Sequence, residues 1–206
     1  TEIPNRYLPF YKKSCMKNGF LTFLFIFFIF FSCKQKQVEK IPETNNPIRN
    51  TKVEYGKNFF DFDEVDYYST QITEDDAMKL LDNQTSKIDE QKYNVIMNDE
   101  YPKSLNEMGF IKNLNEIGFK KTKIETEKFS DLNQIFVEKS EQDGIVFSCI
   151  PVFRDLLVFK KKNKITGFAK ICFDCNFYHI IGTNADLKNF GQGDDYEKLG
   201  RILDSK

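Results

Sequence analysis

The sequence has no tryptophan, a single histidine and almost no net charge, with 30 Lys+Arg against 31 Asp+Glu in 206 residues. Balanced charge removes the electrostatic basis for nucleic-acid binding, which needs a cationic surface. One histidine means that any Ser-His-Asp or Cys-His chemistry has to pass through His179, which stands between Tyr178 and Ile180 in a strand-like run. A ring in that setting is by default packed or solvent-facing, and no catalytic residue is assigned. Two further patterns are incomplete. Gly191-x-Gly193 lacks a third glycine and a preceding βαβ strand, so it reads as a turn and helix cap and not as a phosphate loop. Asp61, Asp63, Glu64 and Asp66 lack the loop glycine and terminal glutamate of an EF-hand, and read as a solvated strand edge.

What the sequence does hold is an unequal distribution of phenylalanine. Eight of the 22 Phe precede Cys33, and from Gly19 to Ser32 there is no charge and only Thr22 and Ser32 are polar. Lys12, Lys13 and Lys17 come before this run. A basic segment followed by a short apolar block is the pattern of a secretory signal peptide, and the twelve residues from Phe20 to Phe31 fall short of the roughly 20 that span a bilayer. A core helix would carry a polar face, and this run has none. Met16, directly before Lys17-Asn18 and the apolar block, is the expected start, which makes residues 1–15 an upstream extension.

The block ends in Phe30-Phe31-Ser32-Cys33 and turns polar at Lys34-Gln35-Lys36-Gln37. This ending resembles the lipobox of bacterial lipoproteins, with Phe30 where the family usually has Leu. The resemblance implies cleavage before Cys33, a diacylglyceryl thioether on its sulfur and a fatty acyl group such as palmitate on its amine. Two or three chains at about 0.8 kcal/mol per buried CH₂ make a lasting anchor to the lipid bilayer. By the same resemblance the location is the cell membrane or the outer membrane: Lys34 in place of an Asp after Cys33 favours the outer one, and the lack of an acidic surface-export signature favours the periplasmic side. Removing four basic and one acidic residue with segment 1–32 leaves a net charge of −4 from the original 30 and 31.

Residues 33–57 then read as the lipidated Cys and a flexible tether, rich in Lys, Glu, Asn, Gln and Pro. Residues 58–206 read as a single α+β domain: several short helices followed by an antiparallel β-meander and a C-terminal helix. Aromatics from Phe59 to Tyr68 suggest an extended segment. Thr73 with Asp76 approximates a capping box for a helix bearing Met78, Leu80 and Leu81. Phe110, Ile111, Leu114 and Ile117 predict a helix closed by Gly118, and Phe129, Leu132, Ile135 and Phe136 predict another. Ile145–Ile150, Arg154–Phe159, Ile165–Phe173 and Phe177–Ile181 read as strands, with a hairpin at Lys161–Lys164. Asp194 is placed to cap a last helix faced by Tyr196, Leu199, Ile202 and Leu203.

The chemistry-bearing cluster is Cys172-x-x-Cys175-x-x-x-His179 with Cys149 upstream. Three Cys and one His make a tetrahedral structural zinc site if they converge. Strand alternation opposes this, placing Cys172 and Cys175 on opposite faces unless a bulge intervenes. In an exported domain a disulfide is permitted, and three cysteines allow three pairings and leave one thiol over, Cys149–Cys172 and Cys172–Cys175 among them; the equal alternative is that the cysteines are small buried residues packed in an apolar sheet. A thioredoxin-type pair needs a helix N-terminus, and this one sits at a strand end. Arg154 is positioned to reach a carboxylate such as Asp174, and the basic hairpin tip reads as solvated.

The succession Cys149-Ile150-Pro151, Arg154-Asp155, Ala169-Lys170-Ile171-Cys172-Phe173-Asp174-Cys175, Ile181-Gly182-Thr183-Asn184-Ala185 and Asn189-Phe190-Gly191 resembles small uncharacterised lipoproteins and exported proteins of Bacteroidetes-type bacteria. The resemblance spans residues 60–206 and implies no activity. The functional expectation is a membrane-anchored cell-envelope lipoprotein acting as a binding or structural module for an envelope protein or ligand, and not as an enzyme. The alternatives are a thiol-dependent redox or zinc-binding protein using Cys172 and Cys175, and an inhibitor or immunity-type partner-binding protein.

Overall fold

Alternation along the strands divides the domain into two cores, one on each face of a five-stranded sheet. The computed structural model describes residues 52–140 and 149–204. The apolar run, Cys33 and most of the expected strand Ile145–Ile150 lie outside those residues; of that strand only Cys149 and Ile150 are described, and neither is in a strand. In chain order the elements are β1 (Tyr55–Asn58), β2 (Glu64–Ser69), α1 (Glu74–Asp82), α2 (Lys87–Ile96), a 3-10 helix (Leu105–Asn113), β3 (Lys120–Lys123), a short 3-10 turn (Thr126–Lys128), α3 (Phe129–Ile135), β4 (Val137–Lys139), β5 (Asp155–Lys161), β6 (Lys164–Cys172), β7 (Phe177–Ile181) and α4 (Asp195–Asp204). The class is α+β, with β5, β6 and β7 forming an antiparallel meander.

The large sheet runs β3-β2-β5-β6-β7, every neighbour antiparallel, while β1 and β4 pair separately. Val65 and Tyr67 of β2, Leu157 and Phe159 of β5, and Ala169 and Ile171 of β6 point to one face. There they meet Phe59, Phe60, Phe136 and the inner faces of α3 and α4. Tyr68, Leu156, Val158 and Phe168 point the other way, onto α1, α2 and the 3-10 helix. Burying a sheet on both faces explains why β5 reads Leu-Leu-Val-Phe without polar interruption. Gly167 is the one β6 position where a side chain would not fit, because the Phe60 ring lies directly over it.

Local signals place most elements. Thr73 caps α1, its hydroxyl accepting from the Asp76 N–H at 3.1 Å. Lys162 and Asn163 at the β5–β6 hairpin both take positive φ, +49° and +63°, the geometry that matches a two-residue turn to strand twist. Gly118 takes φ +97° where the 3-10 region ends. A buried ion pair between Lys139 and Asp195 fixes α4 to β4. Burial pushes the Asp195 carboxyl up and Lys139 opposes the shift.

Several expectations are corrected. Lys87–Ile96 is a helix, where no element was expected. The segment around Phe110 is a 3-10 helix and not an α-helix. β1 begins at Tyr55, within the last residues of the expected tether, and pairs with Lys139. The carboxylate run is not a solvated edge: Asp66 is fully buried and bound by Lys160 and by Lys121 at 2.7 Å. Asp61 pairs with Lys161 and Asp63 accepts the Lys162 N–H, so the acidic run and the basic hairpin neutralise one another. Glu64, held between Lys160 and Lys123, has its pKa lowered to about 2.

Candidate functional site

The three downstream cysteines converge at the end of the sheet where β5 starts and β6 stops. Val152 and Phe153 are buried, and the Phe153 N–H donates to Ile96 O at 2.8 Å, which fastens the strand approach to the end of α2. Cys172 is the last residue of β6, paired with Phe177, and residues 173–176 turn the chain with Asn176 at φ +48°. Because the strand ends at Cys172, the alternation expected to separate Cys172 from Cys175 does not reach Cys175. Both pack with Phe153 in one small cluster.

Cys149 and Cys175 form a disulfide, with Cα atoms 6.1 Å apart, and Cys172 is a free thiol with 1% exposure. The pairing is therefore neither of the two named from the sequence. The Cys175 Sγ also lies 3.7 Å from the Ile150 carbonyl oxygen. All three cysteines line a cleft of about 410 Å³, together with Met78, Ile150 and Arg154. Cys149 and Ile150 are exposed at its rim.

Arg154 links this cleft to a second, of about 590 Å³, lined by Tyr67, Thr70, Asp155, Phe173 and Asp204. Its Nε donates to Ile72 O at 2.9 Å and its Nη1 to Asp174 at 2.6 Å, the pairing expected from the sequence. In the second cleft the Tyr67 hydroxyl donates to Asp155 at 2.5 Å. Burial raises the Asp155 pKa, the Tyr67 hydrogen bond opposes and the charge of Asp204 adds to the rise. Tyr67 is raised by burial and by its hydrogen bond to Asp155, so the phenol keeps the proton it donates.

His179 does not join the cysteines. It stands opposite Lys170 in the β6–β7 ladder, its Nε2 is 2.8 Å from Pro102 O, and burial lowers its pKa. With Cys149 and Cys175 bonded to each other and His179 committed elsewhere, Cys149, Cys172, Cys175 and His179 do not converge as the zinc alternative requires. Among the described residues no group of three or more His, Cys, Asp or Glu is placed to hold a metal ion. Gly191 and Gly193 take φ +79° and +63° in the turn before α4.

Sequence reasoning missed Lys170. It is fully buried, and its Nζ donates to Asn98 O at 2.6 Å, Val95 O at 3.2 Å and Asn94 O at 3.4 Å. The ammonium stands 4.3 Å from the centre of the Phe153 ring, whose cluster holds Cys172 and Cys175. These are carbonyls at the C-terminal end of α2, where a cation meets the negative end of the helix dipole. The signal was a lone lysine within the apolar run Phe168–Phe173. Comparison with protein-family models, curated proteins and solved structures found no match for this chain, so the site is read from its own geometry.

Proposed function

We propose that the protein is an exported bacterial lipoprotein, held at a cell-envelope membrane by acyl chains on Cys33, whose domain serves as a binding or structural module on the periplasmic side. The observation that carries this reading is the Cys149–Cys175 disulfide, a bond that persists in oxidising compartments and is rare in the cytosol. It agrees with the apolar run and Cys33 upstream. Among the described residues no helix is long and apolar enough to cross a membrane. The paired clefts around Arg154 offer a binding surface with a cation, carboxylates and exposed Ile150 within one end of the sheet.

Growth of producing cells on an alkyne-tagged palmitate tests the anchor. The wild-type chain should take up the tag and sediment with membranes, whereas Cys33→Ala should do neither. Label retained in Cys33→Ala, or absent from the wild type, overturns the anchored reading. Flotation on a density gradient then assigns the outer or the inner membrane.

A further inference from the structure

We propose that Cys149, Cys172 and Cys175 form a thiol–disulfide exchange centre in which the buried Cys172 thiol displaces Cys149 from Cys175 and so presents Cys149 as a modification site for disulfide-bearing molecules. The proposal goes beyond the anchoring and binding reading and depends on the three-cysteine geometry alone.

Three placements carry it. Cys172 and Cys175 flank the turn after β6 and share one packing cluster, so the attacking and attacked residues are already neighbours. Cys149 is exposed at the rim of the cleft, so the sulfur that leaves is the one solvent can reach. All three residues line that same cleft, which has about 410 Å³ in which side chains can re-aim, with Arg154 on its wall. Exchange proceeds by attack of one thiolate on one sulfur of the bridge.

The step balances without an external oxidant. The Cys172 thiol loses its proton to solvent, its sulfur bonds to Cys175 Sγ, the Cys149–Cys175 bond breaks and Cys149 leaves as a thiolate. In a second step that thiolate attacks a low-molecular-weight disulfide, forming a mixed disulfide on Cys149 and releasing one thiol. The protein keeps the Cys172–Cys175 bridge and the external molecule supplies the oxidising equivalent.

Tryptic mapping reads the two states directly. Residues 140–154 carry Cys149 and residues 171–188 carry both Cys172 and Cys175, so the observed bridge links two peptides while the exchanged bridge lies within one. The full-length chain in detergent is incubated, native, with oxidised glutathione or with N-ethylmaleimide, quenched in acid and digested. The expected result is the adduct on Cys149 together with an internal Cys172–Cys175 bridge. In Cys172→Ala the adduct on Cys149 should form at least about tenfold more slowly, because no internal nucleophile remains. An adduct on Cys172 with the two-peptide bridge intact, or no adduct until denaturant is added, overturns the proposal. Should Cys172→Ala fail to fold, Cys149→Ala gives the second reading: a Cys172–Cys175 bridge formed in air supports exchange, and two persistent thiols overturn it.

Discussion

Lys170 brings a positive charge to a place where backbone carbonyls and a phenyl ring are its partners. Burial lowers its pKa from 10.5 to about 7, with Asp99 opposing. The unfolded chain therefore binds a proton that the folded chain releases between pH 7 and 10.5, and stability should rise with pH across that window, by at most about 1.4 kcal/mol per unit. His179, which faces Lys170 and whose pKa is lowered from 6.5, stays neutral throughout it. The upper end is set near pH 10, where tyrosines begin to titrate in the unfolded chain. Urea midpoints measured from pH 7 to 10 should climb for the wild type and stay nearly flat for Lys170→Met, which keeps the packing volume and loses the ammonium. Parallel profiles would remove Lys170 as the source. Its one local signal, a lone lysine in the apolar run Phe168–Phe173, does not say which way the side chain points, since strand alternation is silent when both faces of a sheet are covered.

At the scale of elements, legibility follows how local the determining signal is. Thr73 and Ser86 use the same cap, a hydroxyl accepting the N–H three residues on, at 3.1 Å in both helices. The first was readable because apolar residues follow it; α2 was not, because it buries only Val95 and Ile96 in its last turn. Ser86→Ala should lower stability by about 1 kcal/mol in chemical denaturation, and α2 amides should lose exchange protection before those of β5. The 3-10 helix was readable in principle: Leu105, Met108, Ile111, Leu114 and Ile117 recur every three residues, the period of a 3-10 turn, and none is exposed. Phe110 masked that spacing and made a 3.6-residue reading look adequate. The hairpin at Lys162-Asn163, β7 and α4 were legible because each depends on a few adjacent residues. Gly167 was not, since its requirement comes from Phe60, more than a hundred positions away. Gly167→Ala should push the Phe60 ring out of its stack on Phe159 and cost roughly 1–3 kcal/mol, with Phe60 no longer protected from solvent in near-ultraviolet spectra.

For the whole molecule, long-range pairing decides what single segments could not. The acidic run at residues 61–66 and the basic run at 160–164 each read as solvated when taken alone, yet β2 lies beside β5 and brings them together. The cysteines follow the same logic: their types and spacing were visible, their convergence at one end of the sheet was not, and the Arg154–Asp174 pair alone hinted at it. The disulfide closes a chain segment of 26 residues that contains the β5–β6 hairpin. In the chain-entropy account such a bridge is worth about 3.5 kcal/mol, whereas a bridge across three residues is worth about 1.6. Each amount is set against the bridge's own unfolded chain, so loop length biases folding and not the exchange between the two bridges in the folded domain, and an external disulfide that captures Cys149 draws that exchange forward. Treatment with a reductant that leaves the fold assembled should lower the urea midpoint by the larger amount. The loss of amide protection should concentrate at residues 149–154 and 172–177, with the hairpin at Lys162-Asn163 unaffected. An unchanged midpoint on reduction would mean that the folded state gains nothing from the bridge, and its place would then lie wholly in the chemistry of the cleft.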